Sequence, residues 1–387
     1  MSTRIVPAEF VFPGHPDKLC DAIADALVAE AIRREPRALV GVEISVHRNH
    51  AIVTGRIACR GASDIDVDGI VRGIYRSAGY GDDWHPTPEQ LKIDNHLCLG
   101  PLEEGETEFR ELSDDQAICI GFANNLVQTN HLPVEHWLAR RLAARLYRLR
   151  TERPDLGLGP DGKVMVFVKD EGHGWSLDGF SCSLQQREAA DSVALHRAIR
   201  LAVEAEMAQA AATLSGLSPK LPDELTVNGA GSFEVGGPEG DNGLSGKKLV
   251  VDAYGPRVQI GGGAWSGKDF FKADRAGGLH ARRLAKLVVR LGLAAEARVT
   301  LGWRPGDRAA RVLQISTDRG DLDASGALGE MIDLSLVRSG EEFSRTEDLV
   351  GISRWGHFSD RTMPWEKTGL APNVHSLRVG HIFQDRR

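Results

Sequence analysis

The segment VGVEISVHRNHAIVTGRIA, residues 40–58, decides the architecture. Val40 to Val46 and Ala51 to Ala58 are extended and rich in β-branched residues, Arg48-Asn49-His50 between them is a polar turn, and Ile65 to Tyr75 repeats apolar residues at helical spacing. The stretch predicts a hairpin followed by a helix. The same pattern occurs twice more. Val164 to Val168 and Gly179 to Leu184 surround the turn-like Asp170-Glu171-Gly172-His173-Gly174, with Val193, Leu195, Ile199 and Val203 continuing as a helix. Val299 to Trp303 and Val312 to Ile315 surround Arg304-Pro305-Gly306-Asp307, with a helix expected over Leu322 to Leu336. The units recur at about 125 to 135 residues without sequence identity. Further helices are predicted at Pro16 to Arg34, where Pro16 suits the first helical position, at Val134 to Arg150 and at Ala276 to Leu293. An α+β protein follows, with three similar units, each a small sheet covered by helices.

Composition limits the partners. The 387 residues carry 47 Lys+Arg against 54 Asp+Glu, a net charge of -7, which excludes an electrostatic footprint for nucleic acid or an anionic membrane. An anionic ligand must therefore be met by a local cluster. The five cysteines form no CxxC pair and read as reduced thiols, mostly buried. With no apolar run of the ~18 residues that span a bilayer and no signal-like N-terminus, a cytoplasmic location is expected.

The 43 glycines are about 11% of the chain against roughly 7% typically, and 14 of them fall between Gly229 and Gly278. Glycine weakens helices and strands and is kept where φ is positive or a ligand approaches the backbone, so this segment is the candidate site. Within it, Gly262 to Lys268 satisfies G-x-x-x-x-G-K. A Walker loop needs Ser or Thr next, yet Asp269 follows, the preceding Arg257 to Ile260 reads as only a weak strand, and Phe270-Phe271-Lys272 delays the helix. A different phosphate loop is the better reading. Lys247, Lys248, Lys268 and Lys272 supply cations for a polyphosphate, and Asp241, Asp269 and Asp274 alternate with them, the mixture expected where Mg²⁺ bridges carboxylates and phosphates. Near the N-terminus, Gly14-His15-Pro16-Asp17-Lys18 sets His15 and Asp17 at a helix start, which favours anions, although such a pentapeptide also serves as a plain capped turn.

These residues resemble a known family. The pentapeptide 14–18, Asp115-Gln116, the run Gly236 to Lys248, Val251 to Gly255, the loop Gly261 to Asp269, Asp274-Arg275, Gly356-His357-Phe358 and Pro364 to Thr368 are similar in type, order and spacing to S-adenosylmethionine synthetases, over essentially the whole chain. The resemblance implies three α+β domains around a pseudo-threefold axis. They are interleaved: 1–12 with 120–230 as a partly central domain, 13–119 as an N-terminal domain with the ATP and metal motif, 231–285 as the phosphate-binding segment and 286–387 as a C-terminal domain. It also implies a homodimer or tetramer with active sites between subunits, and a reaction in which the methionine sulfur attacks C5′ of ATP. The tripolyphosphate expelled is cleaved to pyrophosphate and phosphate, with Mg²⁺ and K⁺ as cofactors.

Carried over by motif, His15 stabilises the leaving oxygen, Asp17 and Asp274 bind Mg²⁺, and Glu43 is associated with K⁺. Lys163, Lys268 and Lys272 serve catalysis, while Lys247, Lys248, Gly262, Gly263 and Ala264 complete the phosphate contacts. Asp161 contacts nucleotide, Phe233 faces adenine, and Asp115, Asp241 and Lys272 line the acceptor pocket. Physically, cations around a departing polyphosphate and carboxylates near a forming sulfonium lower the barrier.

The departures from the family pattern concentrate at the acceptor end. Arg56 in Thr54-Gly55-Arg56-Ile57 stands where the family has a glutamate meeting the methionine ammonium, and residues 91–114 hold no glutamine, with the gating loop shortened to Gly100 to Glu106. Phe12-Pro13, Ser232, Lys247-Lys248 and Ser183 to Gln186 differ as well. Either another acid, such as Glu43 or one of the 103–106 cluster, meets the ammonium while Arg56 turns to solvent, or Arg56 pairs with an anion on a different acceptor. The resemblance thus implies adenosyl transfer to methionine, with another thioether, or a nucleotide-binding paralogue without transfer, as alternatives.

Overall fold

The computed structural model describes residues 3–187, 190–323, 328 and 331–369. The chain runs β1 (Arg4–Val11), α1 (Pro16–Arg34), β2 (Leu39–His47), β3 (His50–Ala58), α2 (Val67–Ala78), β4 (Lys92–Gly100), β5 (Ala117–Asn124) and α3 (Val134–Glu152). It continues β6 (Leu158–Asp170), β7 (Trp175–Gln186), α4 (Ser192–Thr213), β8 (Thr226–Val227), β9 (Gly243–Leu244), α5 (Leu249–Asp252) and α6 (Ala273–Arg290). It then runs β10 (Glu296–Trp303), β11 (Arg311–Thr317), β12 (Gly320–Leu322), α7 (Leu336–Phe343) and α8 (Leu349–Trp355).

Each expected hairpin forms, because alternation of apolar and polar residues puts one face of every strand pair into a core. The hairpins sit at the centres of three four-stranded sheets, ordered β4-β3-β2-β9, β1-β6-β7-β8 and β12-β11-β10-β5. Helices α1 and α2 cover the first, α3 and α4 the second, and α6 the third. The fold class read from the sequence is the one observed. Strands cross between regions of the chain: β1 pairs with β6, β5 with β10 and β9 with β2.

Two expectations are corrected. Arg257 to Ile260 forms no strand, because Gly255-Pro256 turns the chain and Arg257 is drawn to Glu135 at 3.0 Å and Glu296 at 3.4 Å. Leu322 ends β12 instead of opening a helix. Residues 324–327, 329 and 330 of the expected helix 322–336 lie outside the described residues, 331–335 are not helical, and α7 begins at Leu336, where the side chain of Ser335 accepts from the Arg338 N–H.

Helix α1 is buried along most of its length, and three carboxylates are buried with it. Asp17, Asp21 and Asp25 recur at i, i+4 and i+8, hence on one face. Each accepts a main-chain N–H of the glycine-rich segment: Leu244 to Asp17 at 3.0 Å, Gly246 to Asp21 at 2.8 Å and Gly267 to Asp25 at 3.0 Å. Asp25 also takes a two-pronged bond from Arg275 at 2.7 and 3.0 Å, and Lys18 fills the space between Asp21 and Asp252. A buried charge stripped of its partner is costly. Asp25→Asn, which leaves the Arg275 guanidinium uncompensated, should lower unfolding free energy by about 3–5 kcal/mol. Arg4→Ala, at a pair where Arg4 is 56% exposed, should cost at most about 1 kcal/mol in the same denaturant titration.

Candidate active site

The expected site residues fall into two clusters at different turns of α1. The first gathers at its N-terminus. His15 is the N-cap, and its Nδ1 accepts the Asp17 N–H at 3.2 Å, which leaves the proton on Nε2. Burial, reinforced by Lys248, Lys163, Lys18 and Lys247, pushes the imidazole down to about 3, so it stays neutral. His15, Asp161, Lys163, Ser183, Phe233 and Asp241 line a cavity of about 350 Å³. Asp161 is placed at the wall by Gln185, whose Oε1 accepts the Asp161 N–H at 3.3 Å, and by the Gly237 N–H, which Asp161 accepts at 2.7 Å. Only glycine fits at 237: φ is 62°, and a Cβ would fall 1.9 Å from the Tyr80 hydroxyl. Lys163 lies 3.2 Å from Glu9, and Lys247 and Lys248 each stand 3.6 Å from the Asp17 carboxylate.

The second cluster surrounds the start of α6. Lys268 pairs with Asp274, and Lys272 pairs with Asp114. The loop before them is pressed against Asp274, since a Cβ on Gly263 would meet its Cγ at 2.0 Å, while Ala264 packs on Gly246 and Gly262 is exposed. Asp115 is exposed; its carboxylate accepts the neighbouring Gln116 N–H at 2.7 Å and its carbonyl the Ser113 hydroxyl at 2.5 Å. The first cluster abuts Asp17 and the second abuts Asp25, eight residues along α1, a rise of about 12 Å. Within one chain the expected residues thus form two groups anchored at different turns of α1.

Two side chains make contacts that the sequence did not suggest, and a third is exposed. Asp269 is no metal ligand: it is buried and consumed by the Val40 N–H at 2.7 Å, the Phe271 N–H at 2.8 Å and Arg110 at 2.8 Å. Arg56 does not turn to solvent. It holds both oxygens of Glu106, at 3.0 and 2.9 Å, and the Pro101 carbonyl at 2.8 Å. Glu43 stands exposed on β2.

Among the described residues no group of three His, Cys, Asp or Glu side chains could hold a metal ion. Asp17 and Asp274, one in each cluster, would each give a divalent ion a single carboxylate, with the remaining ligands from phosphate, the usual habit of Mg²⁺. Glu43 offers one carboxylate, which is not a cage for K⁺. Asp25 and Arg110 were not singled out from the sequence, and Gln185 and Arg275 were named only as members of motifs, without a role. The i, i+4, i+8 spacing of aspartates in an apolar helix is the signal that could have found Asp25.

Three sheets with helical covers, joined by glycine-rich loops bearing lysines and aspartates, define a three-domain α+β class. Family models agree, matching the N-terminal domain of S-adenosylmethionine synthetase at residues 3–97, the central domain at 110–233 and the C-terminal domain at 235–367. S-adenosylmethionine synthase of Corynebacterium jeikeium (strain K411) is 33% identical, over 95% of this chain and 96% of that protein. The protein of the same name from Prochlorococcus marinus (strain NATL1A) is 31% identical, over 97% and 100%. S-adenosylmethionine synthase 1 of Rhodopseudomonas palustris (strain BisB18) is 32% identical, over 97% and 99%. The chain belongs to the S-adenosylmethionine synthetase family. No helix of the described residues is long and apolar enough to cross a membrane.

Asp161 gives the site a measurable signature. Burial raises its carboxyl to about 6, with the Asp241 charge adding to the rise and the Gly237 N–H opposing it. A ¹³C NMR titration of the nucleotide-free protein should place its midpoint near 6, and Asp241→Asn should move that midpoint down. The Asp161 carboxylate is thus fully charged only above that pH, so nucleotide binding that depends on it should strengthen between pH 5 and 7, and Asp161→Asn should flatten the rise.

Proposed function

We propose that this protein transfers the adenosyl group of ATP to the sulfur of methionine, expelling tripolyphosphate and cleaving it to pyrophosphate and phosphate. The observation that carries the reading is His15. It is a neutral imidazole with a free Nε2–H, fixed as a helix cap, and it shares one cavity with Asp161, Lys163, Phe233 and Asp241. As the sulfur bonds to C5′ and the C5′–O bond breaks, charge develops on the leaving oxygen, and a preorganised donor there lowers the barrier. Lys163, Lys247, Lys248, Lys268 and Lys272 would hold the polyphosphate. The lysines paired with Asp17 and Asp274 are the ones that phosphate oxygens would compete for. Mg²⁺, held by Asp17, Asp274 and phosphate oxygens, would neutralise the leaving group's charge. K⁺ near Glu43 would need oxygens from elsewhere, and no step is assigned to it.

The ~12 Å separation along α1 supports a homodimer in which one subunit's His15 cluster meets its partner's Lys268 cluster. Exposed apolar residues on the outer faces of all three sheets support the same assembly: Ile52, Phe167, and Ile118 with Leu313. A tetramer of such dimers is compatible with it. The acceptor could instead be a different thioether. Arg56 favours that reading, since its charge is already balanced by Glu106 and leaves no carboxylate at that position for an ammonium.

Purified protein incubated with ATP, Mg²⁺, K⁺ and methionine should yield S-adenosylmethionine by mass spectrometry. Absence of any adenosylated product with methionine or a panel of thioethers would defeat the transferase reading. His15→Ala should lower kcat by about 10²–10³-fold while ATP affinity changes little.

A further inference from the structure

Loop 101–110 is tied to the phosphate-lysine segment at both ends. At one end, Glu106 grips Arg56 on β3, and Arg56 stands opposite Gly41 of β2, which forms a β-bridge to Lys268. The Val42 N–H donates to the Gly267 carbonyl at 2.9 Å and the Asp269 N–H to the Val40 carbonyl at 3.1 Å, so an isolated bridge fastens this segment to β2. At the other end, four residues past Glu106, Arg110 bonds to Asp269 at 2.8 Å and to the Ala38 carbonyl at 3.0 Å, with its guanidinium 5.1 Å from the centre of the Phe271 ring. The contacts close a circuit through Lys268, Gly41, Arg56, Glu106, Arg110 and Asp269.

Arg110 is an expensive way to close it. The side chain is fully buried, and its Nε and Nη2 find no hydrogen-bond partner among the described residues. Half-satisfied buried guanidinium is unfavourable, and an apolar side chain would fill the space at lower cost. What the charge does accomplish is to lock Asp269, which lies between Lys268 and Lys272 in sequence.

We propose that Arg110 is a positioning residue for Lys268 and Lys272, and that the Arg56–Glu106 pair acts through it, so that the loop sets the phosphate-binding cations without touching the ligand. The proposal rests on the reading of those lysines as polyphosphate ligands, and its test is built so that the two can fail separately.

Hydrogen–deuterium exchange on the full-length protein reads the coupling with no ligand present. Glu106→Ala removes a pair on the loop, where Glu106 is 20% exposed, so the fold should survive. Exchange should rise at 266–272 as well as at 101–110, and Arg110→Lys should raise it at 266–272 too. The charge-swapped double variant Arg56→Glu with Glu106→Arg should restore protection, which a merely destabilised loop would not require. Tripolyphosphate affinity, measured by calorimetry, should fall about three- to thirtyfold in Glu106→Ala and recover in the swap. Extra exchange confined to 101–110, with 266–272 unchanged, would overturn the proposal. Coupled exchange without tripolyphosphate binding in the wild type would uphold the positioning and overturn the phosphate reading instead.

Discussion

The face of α1 that carries Asp17, Asp21 and Asp25 is the constraint on which the site depends. The glycine-rich segment has almost no secondary structure of its own to hold it. Its placement comes from main-chain N–H groups donated to three buried carboxylates spaced one turn apart. Because those acceptors sit on a rigid helix, two loops distant in sequence, 243–248 and 261–269, take up positions set by the helical rise. Charge-assisted bonds of this kind are stronger than neutral ones. The buried cations Lys18 and Arg275 keep the three acids from repelling one another out of the core.

The hairpins and the long helices were legible because local rules decided them. Alternation placed β2 with β3, β6 with β7 and β10 with β11, and Pro16 behind His15 marked the start of α1. The glycine density likewise located the segment lying across both clusters. What sequence could not reveal was decided by partners far along the chain. Asp269 alternates with lysines as a metal ligand would, yet Val40 and Arg110, more than a hundred residues away, claim its oxygens. Arg257 to Ile260 has strand-like composition, but a Gly-Pro turn and two distant glutamates bend it off any sheet. The Arg56–Glu106 pair spans fifty residues, and neither role open to Arg56 from the sequence included it.

The departures from the family pattern acquire a physical sense in this frame. A reversed charge at Arg56 does not stand alone, since Glu106 on the shortened loop neutralises it and the loop becomes part of the wall behind the lysines. On the proposed reading a polyphosphate needs several cations held at fixed positions against their own repulsion, and Lys247, Lys248, Lys268 and Lys272 are each paired with a carboxylate. Preorganisation of that kind makes cation placement cheap at the moment of reaction.

The central claim is that the His15 cluster and the Lys268 cluster are two halves of one adenosyl-transfer site contributed by different subunits. Co-expression of His15→Ala with Lys268→Ala tests it most directly, each variant being nearly inactive alone. Random pairing gives heterodimers in which one site carries both lesions and the other carries none, so about a quarter of wild-type adenosyl transfer should return. Activity no higher than that of the separate variants would mean that both clusters serve a site within one chain, and would contradict the account.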